Sequence, residues 1–377
     1  MKKLKETILS ALMRLFGIFP IQKKVVFSSF WGASYSDNPK FLYEAMKKEQ
    51  PNYKYIWLLQ NVEFKVEGAE VVRFSSIEAL YHLATASIWI DNVRKRPWVV
   101  KRPQQYYVQT WHGDIPLKKV EKDAEEKLTS VYIQACKHDS KMADLFLSGA
   151  KWRTRNFRNS FWYSGEILEF GSPKSDVFYE NTDLTEKKVR TFFGLEEEKI
   201  FLYAPTFRSD GNLECYDMNY KTVLRTLQEC WGGKWKILLR LHPNIQFLQN
   251  TMEYDENVLN ASAYPDMNEL IVACDVLVTD YSSSMFDGLE ANKIVLLYAS
   301  DISIYAQDRG FYFDIYSLPF PLASDTDAFV KQIKQFNIDV YQRNTNVFKD
   351  KLGFLNGKGR STQIADYILH KAQNKNV

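Results

Sequence analysis

The sequence predicts an α/β protein of two domains, each a parallel sheet with helices on both faces. Three observations predict it. Short apolar runs alternate with stretches of helical periodicity. The alternation starts again after a polar stretch near residues 180–198, the candidate boundary. The 377-residue length exceeds one ordinary core, while 45% hydrophobic and 15% aromatic residues suffice for two.

Residues 1–24 hold six basic groups (Lys2, Lys3, Lys5, Arg14, Lys23, Lys24) and one acid, Glu6. Ile8, Leu12, Leu15, Phe16 and Phe19 recur on one side of a helix that Pro20 stops. This amphipathic helix either packs on the protein's own core or lies on an anionic membrane surface. It lacks the long apolar run and the cleavage site of a secretory signal. Val25–Phe30 reads as the first strand, and Asn38 as the cap of a helix with Pro39 at its first position. Strands follow at Tyr55–Leu59, Val71–Phe74, Ile88–Ile90 and Tyr106–Thr110, with a helix over 76–86. The second series has strands at Lys199–Tyr203, Trp235–Leu241, Val276–Thr279 and Ile294–Tyr298. Helices over 219–231, 266–273 and 284–291 separate them. A helical tail from Asp327 returns to brace the first domain. The expected organisation is a helix over 1–22, α/β domains over 23–185 and 186–325, and helices over 326–377.

Composition excludes several classes. A net charge of +3 gives no polycation signature, so nucleic acid is not an expected partner. No run reaches the ~18–20 apolar residues needed to cross a bilayer. Cys136, Cys215, Cys230 and Cys274 form no C-x-x-C pair and read as buried thiols of a reducing compartment. There is no G-x-x-x-x-G-K-[ST], G-x-G-x-x-G or H-E-x-x-H, and no carboxylate cluster that suggests a metal. Neither a metal nor a cofactor is expected.

Ligands of such domains bind where strands stop. His112 ends a strand beside Gly113, which permits a sharp turn or a close ligand. It reads either as a general base or as a hydrogen-bonded structural histidine. His242 also ends a strand, and alternation puts Arg240 on the same face, a pair of potential cations suited to a diphosphate. A surface salt bridge is the alternative for Arg240. Asp280, Ser282 and Ser283 follow a strand and open a helix, where amides and hydroxyls either bind phosphate or simply cap. Asp287 is a dipole partner or a ligand contact. Thr206 and Arg208 lie at another strand exit, as cleft lining or plain loop. Two basic–aromatic stretches, Arg94–Arg102 and Lys151–Arg158, read as phosphate-holding surfaces or solvated loops. His82, His138 and His370 lie in bland contexts.

Together these motifs resemble the CDP-glycerol glycerophosphotransferase family of teichoic acid and capsule enzymes. The matching pieces are Gln109–Gly113 with Pro116–Lys118, Gly171–Asp176, Tyr203–Arg208, Leu239–Pro243, Thr279–Ser283 with Met285–Asp287, and Arg309–Asp314. Six pieces in order over about residues 105–320 are a specific signal. The resemblance implies a GT-B architecture, two Rossmann-like domains around a cleft, with His112 and His242 facing each other across it. It implies a CDP-polyol donor, glycerol or ribitol, and loss of CMP. His112 looks like the family's base, His242 like its diphosphate contact, and Ser282 and Ser283 like its phosphate-binding pair. Gly113, Thr206, Arg208, Arg240, Asp280 and Asp314 complete the expected substrate contacts. One departure is visible: Tyr316 and Ser317 stand where relatives often carry an acidic pair.

The expected reaction is attack by an acceptor hydroxyl on the polyol-linked phosphorus, with His112 taking the proton. The acceptor is lipid-linked, and the protein is peripheral on the cytoplasmic face of the membrane. The rival readings are a nucleotide-sugar glycosyltransferase of the same architecture and a non-catalytic membrane-binding relative.

Overall fold

A computed structural model of the chain describes residues 2–208, 211–302 and 310–375. It divides into two compact units. The first comprises the stretch ending at Asp114, Val120–Asp176 and the stretch beginning at Leu355, and the second Ile115–Lys119 and Val177–Phe354.

The first unit is built on β1 (Gln22–Ser28), β2 (Lys54–Leu59), β3 (Glu70–Arg73), β4 (Ala86–Asp91), β5 (Tyr106–Gln109), β6 (Leu145–Leu147) and β7 (Glu166–Leu168). All pair in parallel, in the order β3-β2-β1-β4-β5-β6-β7. Strands covered on both faces must be apolar throughout. That is why Val25, Val26, Phe27, Ile88, Trp89 and Ile90 are all sealed from solvent. One face carries Val25, Phe27, Trp57 and Ile90; the other carries Val26, Ile56, Leu58 and Trp89.

Helix α1 (Lys2–Phe16) lies against this unit through one side only. Met13 is buried in the second of those faces, and Phe16 meets Tyr81 edge-on at 5.8 Å. Leu4, Ile8, Leu15, Ile18 and Phe19 point to solvent. The helix ends at Phe16, before Pro20, because Gly17 closes its last turn on Met13 and Arg14 carbonyls. Helix α2 (Asp37–Glu49) starts one residue before Asn38, so Asn38 is not its cap. Helix α3 (Ile77–Thr85) leads into β4. Helices α4 (Ser130–Met142) and α5 (Lys151–Ser160) join the last strands. The basic stretch Lys151–Arg158 is therefore helical, and Arg153 on it is fully buried; neither it nor Arg94 nor Lys95 is a solvated loop residue.

The second unit repeats the order. β8 (Lys199–Tyr203), β9 (Trp235–Leu239), β10 (Val258–Asn260), β11 (Val276–Thr279), β12 (Ile294–Tyr298) and β13 (Leu322–Ala323) align in parallel as β10-β9-β8-β11-β12-β13. Helix α6 (Thr182–Phe193) packs on α8 (Met267–Ala273), so the units divide at Asp176/Val177, earlier than the 185/186 boundary expected from polarity. α7 (Tyr220–Trp231) and α9 (Ser284–Glu290) flank the same sheet.

The tail divides. Phe329 and Ile333 of the helix Thr326–Gln335 fill the second core, and Tyr341 of Ile338–Leu352 donates its hydroxyl hydrogen to the Lys293 carbonyl and accepts from the Val295 amide. Only Arg360–Lys375 returns to the first unit, where Ile364, Ala365, Ile368 and Leu369 complete its core. Of the four cysteines, Cys230 is exposed near the end of α7 and the other three are buried. No described helix is long and apolar enough to cross a membrane.

In both units the first strand of the series sits between neighbours whose connections run in opposite directions. This switch point leaves a crevice beyond the strand carboxyl ends. In the first unit it lies between β1 and β4, in the second between β8 and β11.

Candidate active site

In the first unit β1, β4 and β5 end side by side, and their exits are cross-tied by two buried asparagines. Asn92, just past β4, accepts the Phe30 amide at 2.8 Å and donates to Ser29 Oγ and Asp37 Oδ1. Asn38 donates to the Trp111 carbonyl at 3.1 Å and accepts from Ser172 Oγ and the Lys174 amide, both at 3.0 Å. Backbone here is held in the left-handed region: Phe30 (φ 48°), Trp31 (φ 55°), Asp37 (φ 60°) and Trp111 (φ 57°). Bulky residues rarely occupy that region, and clusters of them mark functional loops. Gly113, at φ 123°, takes a conformation that only glycine adopts without strain.

His112 emerges from this frame. Its Nδ1 lies 2.8 Å from the Asn92 carbonyl oxygen. A carbonyl only accepts, so Nδ1 carries the hydrogen and Nε2 keeps its lone pair. Trp111 stacks on the ring at 4.8 Å and Phe30 meets it edge-on at 5.6 Å. The ring reaches solvent on one side. The protein packed around it nevertheless lowers its pKa to about 4, against the pull of the Asn92 hydrogen bond, and the Arg153 and Lys174 charges lower it further. His112 is therefore neutral at pH 7, the state a proton acceptor needs.

The Gly171–Asp176 motif is tied into this frame. Asp176 accepts the amides of Arg360 (3.1 Å) and Ser361 (2.8 Å), capping the last helix from a distance. Ser361 Oγ donates back to the Pro173 carbonyl. Arg94 is likewise internal, paired at 2.9 Å with both Glu121 and Asp139.

In the second unit β8, β9 and β11 end together. Asp280, past β11, is fully buried. Its Oδ1 accepts the amides of Thr206 (2.7 Å) and Tyr281 (2.5 Å), and its Oδ2 lies 2.9 Å from Arg208. Arg208 also grips Asp301 through Nε (2.5 Å) and Nη2 (2.9 Å), donates to the Thr206 carbonyl, and lies over Tyr281 at 5.2 Å. Burial raises the Asp280 pKa, and Arg208 opposes that rise. Asp280 and Arg208, both expected as substrate contacts, are buried here and tie neighbouring loops together. Sequence reading missed Asp301 because nothing local marks it.

Arg240 is also tied to neighbouring backbone. β9 stops at Leu239, so strand alternation does not extend to Arg240 and His242. Arg240 Nη1 donates to the carbonyls of Ala261 (3.0 Å) and Tyr264 (2.6 Å). His242 is half-buried with Phe207 tilted against it at 4.6 Å. Burial, then Lys118 and Arg240, lower its pKa to about 4, so it too is neutral at pH 7 rather than a cation. Lys118 is held there because its segment pairs with the 310–312 stretch: Lys119 donates to the Gly310 carbonyl (3.0 Å) and Tyr312 to that of Leu117 (2.8 Å).

Ser282 and Ser283 are half-buried at the start of α9. Ser282 Oγ accepts from Ser284, while the Ser283 side chain makes no capping bond. Thr206 Oγ1 is buried without a hydrogen-bond partner, an unmet group at the end of the central strand. Asp314 is exposed and caps a single turn over Ile315–Ser317 by accepting the Tyr316 amide at 3.1 Å. Arg309 lies outside the described residues. Among the described residues Glu70, Glu78 and His82 bring three metal-type ligand atoms within 4.8 Å, but Lys54 already pairs with Glu70 at 2.7 Å.

Comparison with known proteins agrees with this layout. The chain is 33% identical to a Teichoic acid poly(glycerol phosphate) polymerase of Staphylococcus epidermidis, over 93% of this chain and 50% of that protein, so it spans about half of that relative's length. It is 29% identical to the protein of the same name from Bacillus spizizenii, over 96% of both chains. A structure of the Wall Teichoic Acid Polymerase TagF superposes with a TM-score of 0.85 at 30% identity, covering 99% of this chain and 98% of that one. Residues 12–370 match the family described as CDP-Glycerol:Poly(glycerophosphate) glycerophosphotransferase, and the chain belongs to that family.

Proposed function

We propose that this chain transfers a polyol phosphate, glycerol phosphate or ribitol phosphate, from a CDP-polyol to a hydroxyl of a lipid-linked teichoic acid or capsule acceptor. One observation carries the reading: His112 is a neutral imidazole whose Nδ1–H is fixed on the Asn92 carbonyl, leaving Nε2 as a base. The acceptor hydroxyl oxygen attacks the polyol-linked phosphorus, and its proton passes to His112 Nε2. The bond from that phosphorus to the bridging oxygen breaks, and CMP leaves with the electron pair.

Donor binding falls to the second unit. His242, the Thr206 hydroxyl, Ser282 and Ser283 contact the phosphates as hydrogen-bond donors, with Lys118 supplying positive charge nearby. Gly113 lets the acceptor approach the base. Arg208, Arg240 and Asp280 act through the loops they hold. Asp314 lies at the ribose or base end. The architecture is GT-B, with both units serving one reaction. Leu4, Ile8 and Leu15 on the open side of α1, with Ile18 just past its end, suit a membrane surface. The proposal therefore includes a peripheral position on the cytoplasmic face, where a lipid-linked acceptor is presented.

The test is CMP release from CDP-glycerol and CDP-ribitol with a synthetic lipid-linked acceptor. Wild-type release that collapses in His112→Ala and in His242→Ala is the expected result. Release at wild-type rates from both variants would sink the mechanism.

A further inference from the structure

Next in sequence to Phe30, which touches the His112 ring, Trp31 forms an exposed aromatic–cation pair with Arg96 that the reaction above does not use. Phe30, Trp31 and Gly32 are three successive left-handed residues, at φ 48°, 55° and 79°. The surroundings enforce that turn. Asn92 clasps the Phe30 amide, Gln60 donates to the Trp31 carbonyl at 3.2 Å, and a Cβ on Gly32 would come within 2.8 Å of Phe74. The turn pushes the Trp31 ring outward, leaving it 40% exposed. Its Nε1 is anchored on the Arg94 carbonyl at 3.0 Å, so the ring is exposed but fixed.

Arg96 lies over that ring, its guanidinium 5.1 Å from the centroid. Unlike Arg94, it is exposed and has no salt bridge among the described residues. Both residues are tied to the frame of His112: Phe30, which precedes Trp31, touches the imidazole, and Asn92, four residues before Arg96, holds its Nδ1. The charged groups that bear on His112 are Arg153 and Lys174, both cations. An open, rigid aromatic face, an uncompensated guanidinium and a positive surround suit a chain of alternating C–H-rich polyol and phosphodiester anion.

We propose that Trp31 and Arg96 bind the terminal phosphodiester-linked polyol of the acceptor and deliver its hydroxyl to His112. The inference rests on the proposed function and names an acceptor subsite of that reaction. Its test uses the full chain, a synthetic glycerol phosphate trimer and CDP. Calorimetry should show Trp31→Ala and Arg96→Ala weakening trimer binding about tenfold while CDP affinity stays within twofold. Trp31→Phe and Arg96→Lys should recover most of the loss, and the trimer KM in CMP release should rise without a matching fall in kcat. Unchanged trimer affinity in both alanine variants overturns the assignment. So does a parallel loss of CDP affinity, which would mean the pair serves the fold. Failure of the wild type to release CMP would remove the underlying reading itself. Wild-type turnover with an unaltered trimer KM in both alanine variants would remove this subsite alone.

Discussion

Replacing Asp280 separates a loop-holding role from ligand contact. In Asp280→Ala the buried amides of Thr206 and Tyr281 lose their acceptor, now at 2.7 and 2.5 Å. A buried donor left unmet costs about 1–3 kcal/mol. Arg208 also loses one of its two carboxylates, and removing one partner of a buried pair costs about 3–5 kcal/mol. Asp301 still grips Arg208 through two nitrogens, so the low end applies. These contributions overlap, and the expected loss is about 4–6 kcal/mol. Asp280→Asn keeps an oxygen for the amides and loses only the charge, so about 2–3 kcal/mol is expected. At about 2–4 °C per kcal/mol for a unit of this size, the alanine variant should melt at least about 8 °C lower. The assay is calorimetric melting with hydrogen exchange read at residues 203–208 and 279–283, alongside CDP titration of folded protein. An alanine variant that melts within about 2 °C of wild type yet binds CDP tenfold more weakly would refute the structural reading and return Asp280 to ligand contact.

Four further outcomes follow from the same geometry. His112→Gln should lower CMP release by about 10²–10⁴-fold while CDP affinity, measured by titration, stays within twofold. Because His112 and His242 both have pKa values lowered to about 4, kcat/KM should be flat from pH 8 to about 5; an acid limb centred at 6.5 would contradict this. His82 is 4% exposed and its pKa is lowered to about 4, chiefly by burial, so between 6.5 and 4 the unfolded chain binds the extra proton. Stability contributed by neutral His82 is therefore present above pH 6.5 and lost as pH falls toward 4, by up to about 3 kcal/mol; urea midpoints at pH 7 and 4.5 should converge in His82→Gln. Asp176→Ala should release the start of the last helix, measured as faster proteolysis near residues 355–360, at a cost of about 1–3 kcal/mol.

The main strands were legible because buried parallel strands are short apolar runs, and Val25–Phe27, Tyr55–Leu59 and Ile294–Tyr298 are such runs. β6, β7, β10 and β13 were not, since two or three residues carry no periodicity. The ends of strands were also hidden. Val25–Phe30 reads as continuous, but the Asn92 clasp on Phe30 turns the chain at Ser29, and that clasp is 62 residues away. His112 and His242 stand out in the sequence because each follows an apolar run. Their supports were not, because Asn38, Asn92 and Asp301 look like ordinary loop or cap residues until the fold brings them to their partners. The arginines were legible only in part. An arginine beside a strand end reads as a phosphate ligand, and only the positions of Asp301, Ala261 and Tyr264 show that Arg208 and Arg240 are already engaged.

The two units solve one mechanical problem with different chemistry. Each must fix loops that leave neighbouring strands at a switch point, where no ladder hydrogen bonds remain to hold them. The first uses neutral amides, Asn38 and Asn92, which bridge backbone and hydroxyl groups without adding charge. Beside them Arg153 and Lys174 lower the His112 pKa further, and the imidazole stays unprotonated at pH 7. The second uses a carboxylate–guanidinium cluster of Asp280, Arg208 and Asp301, two anions to one cation. That cluster adds no net positive charge to the second unit, so on the proposed reading an anionic donor there meets hydroxyls, a neutral His242 and Lys118. Neutral donors hold a diphosphate less tightly than fixed cations would, and in the proposed reaction that arrangement favours release of CMP once the polyol phosphate has gone.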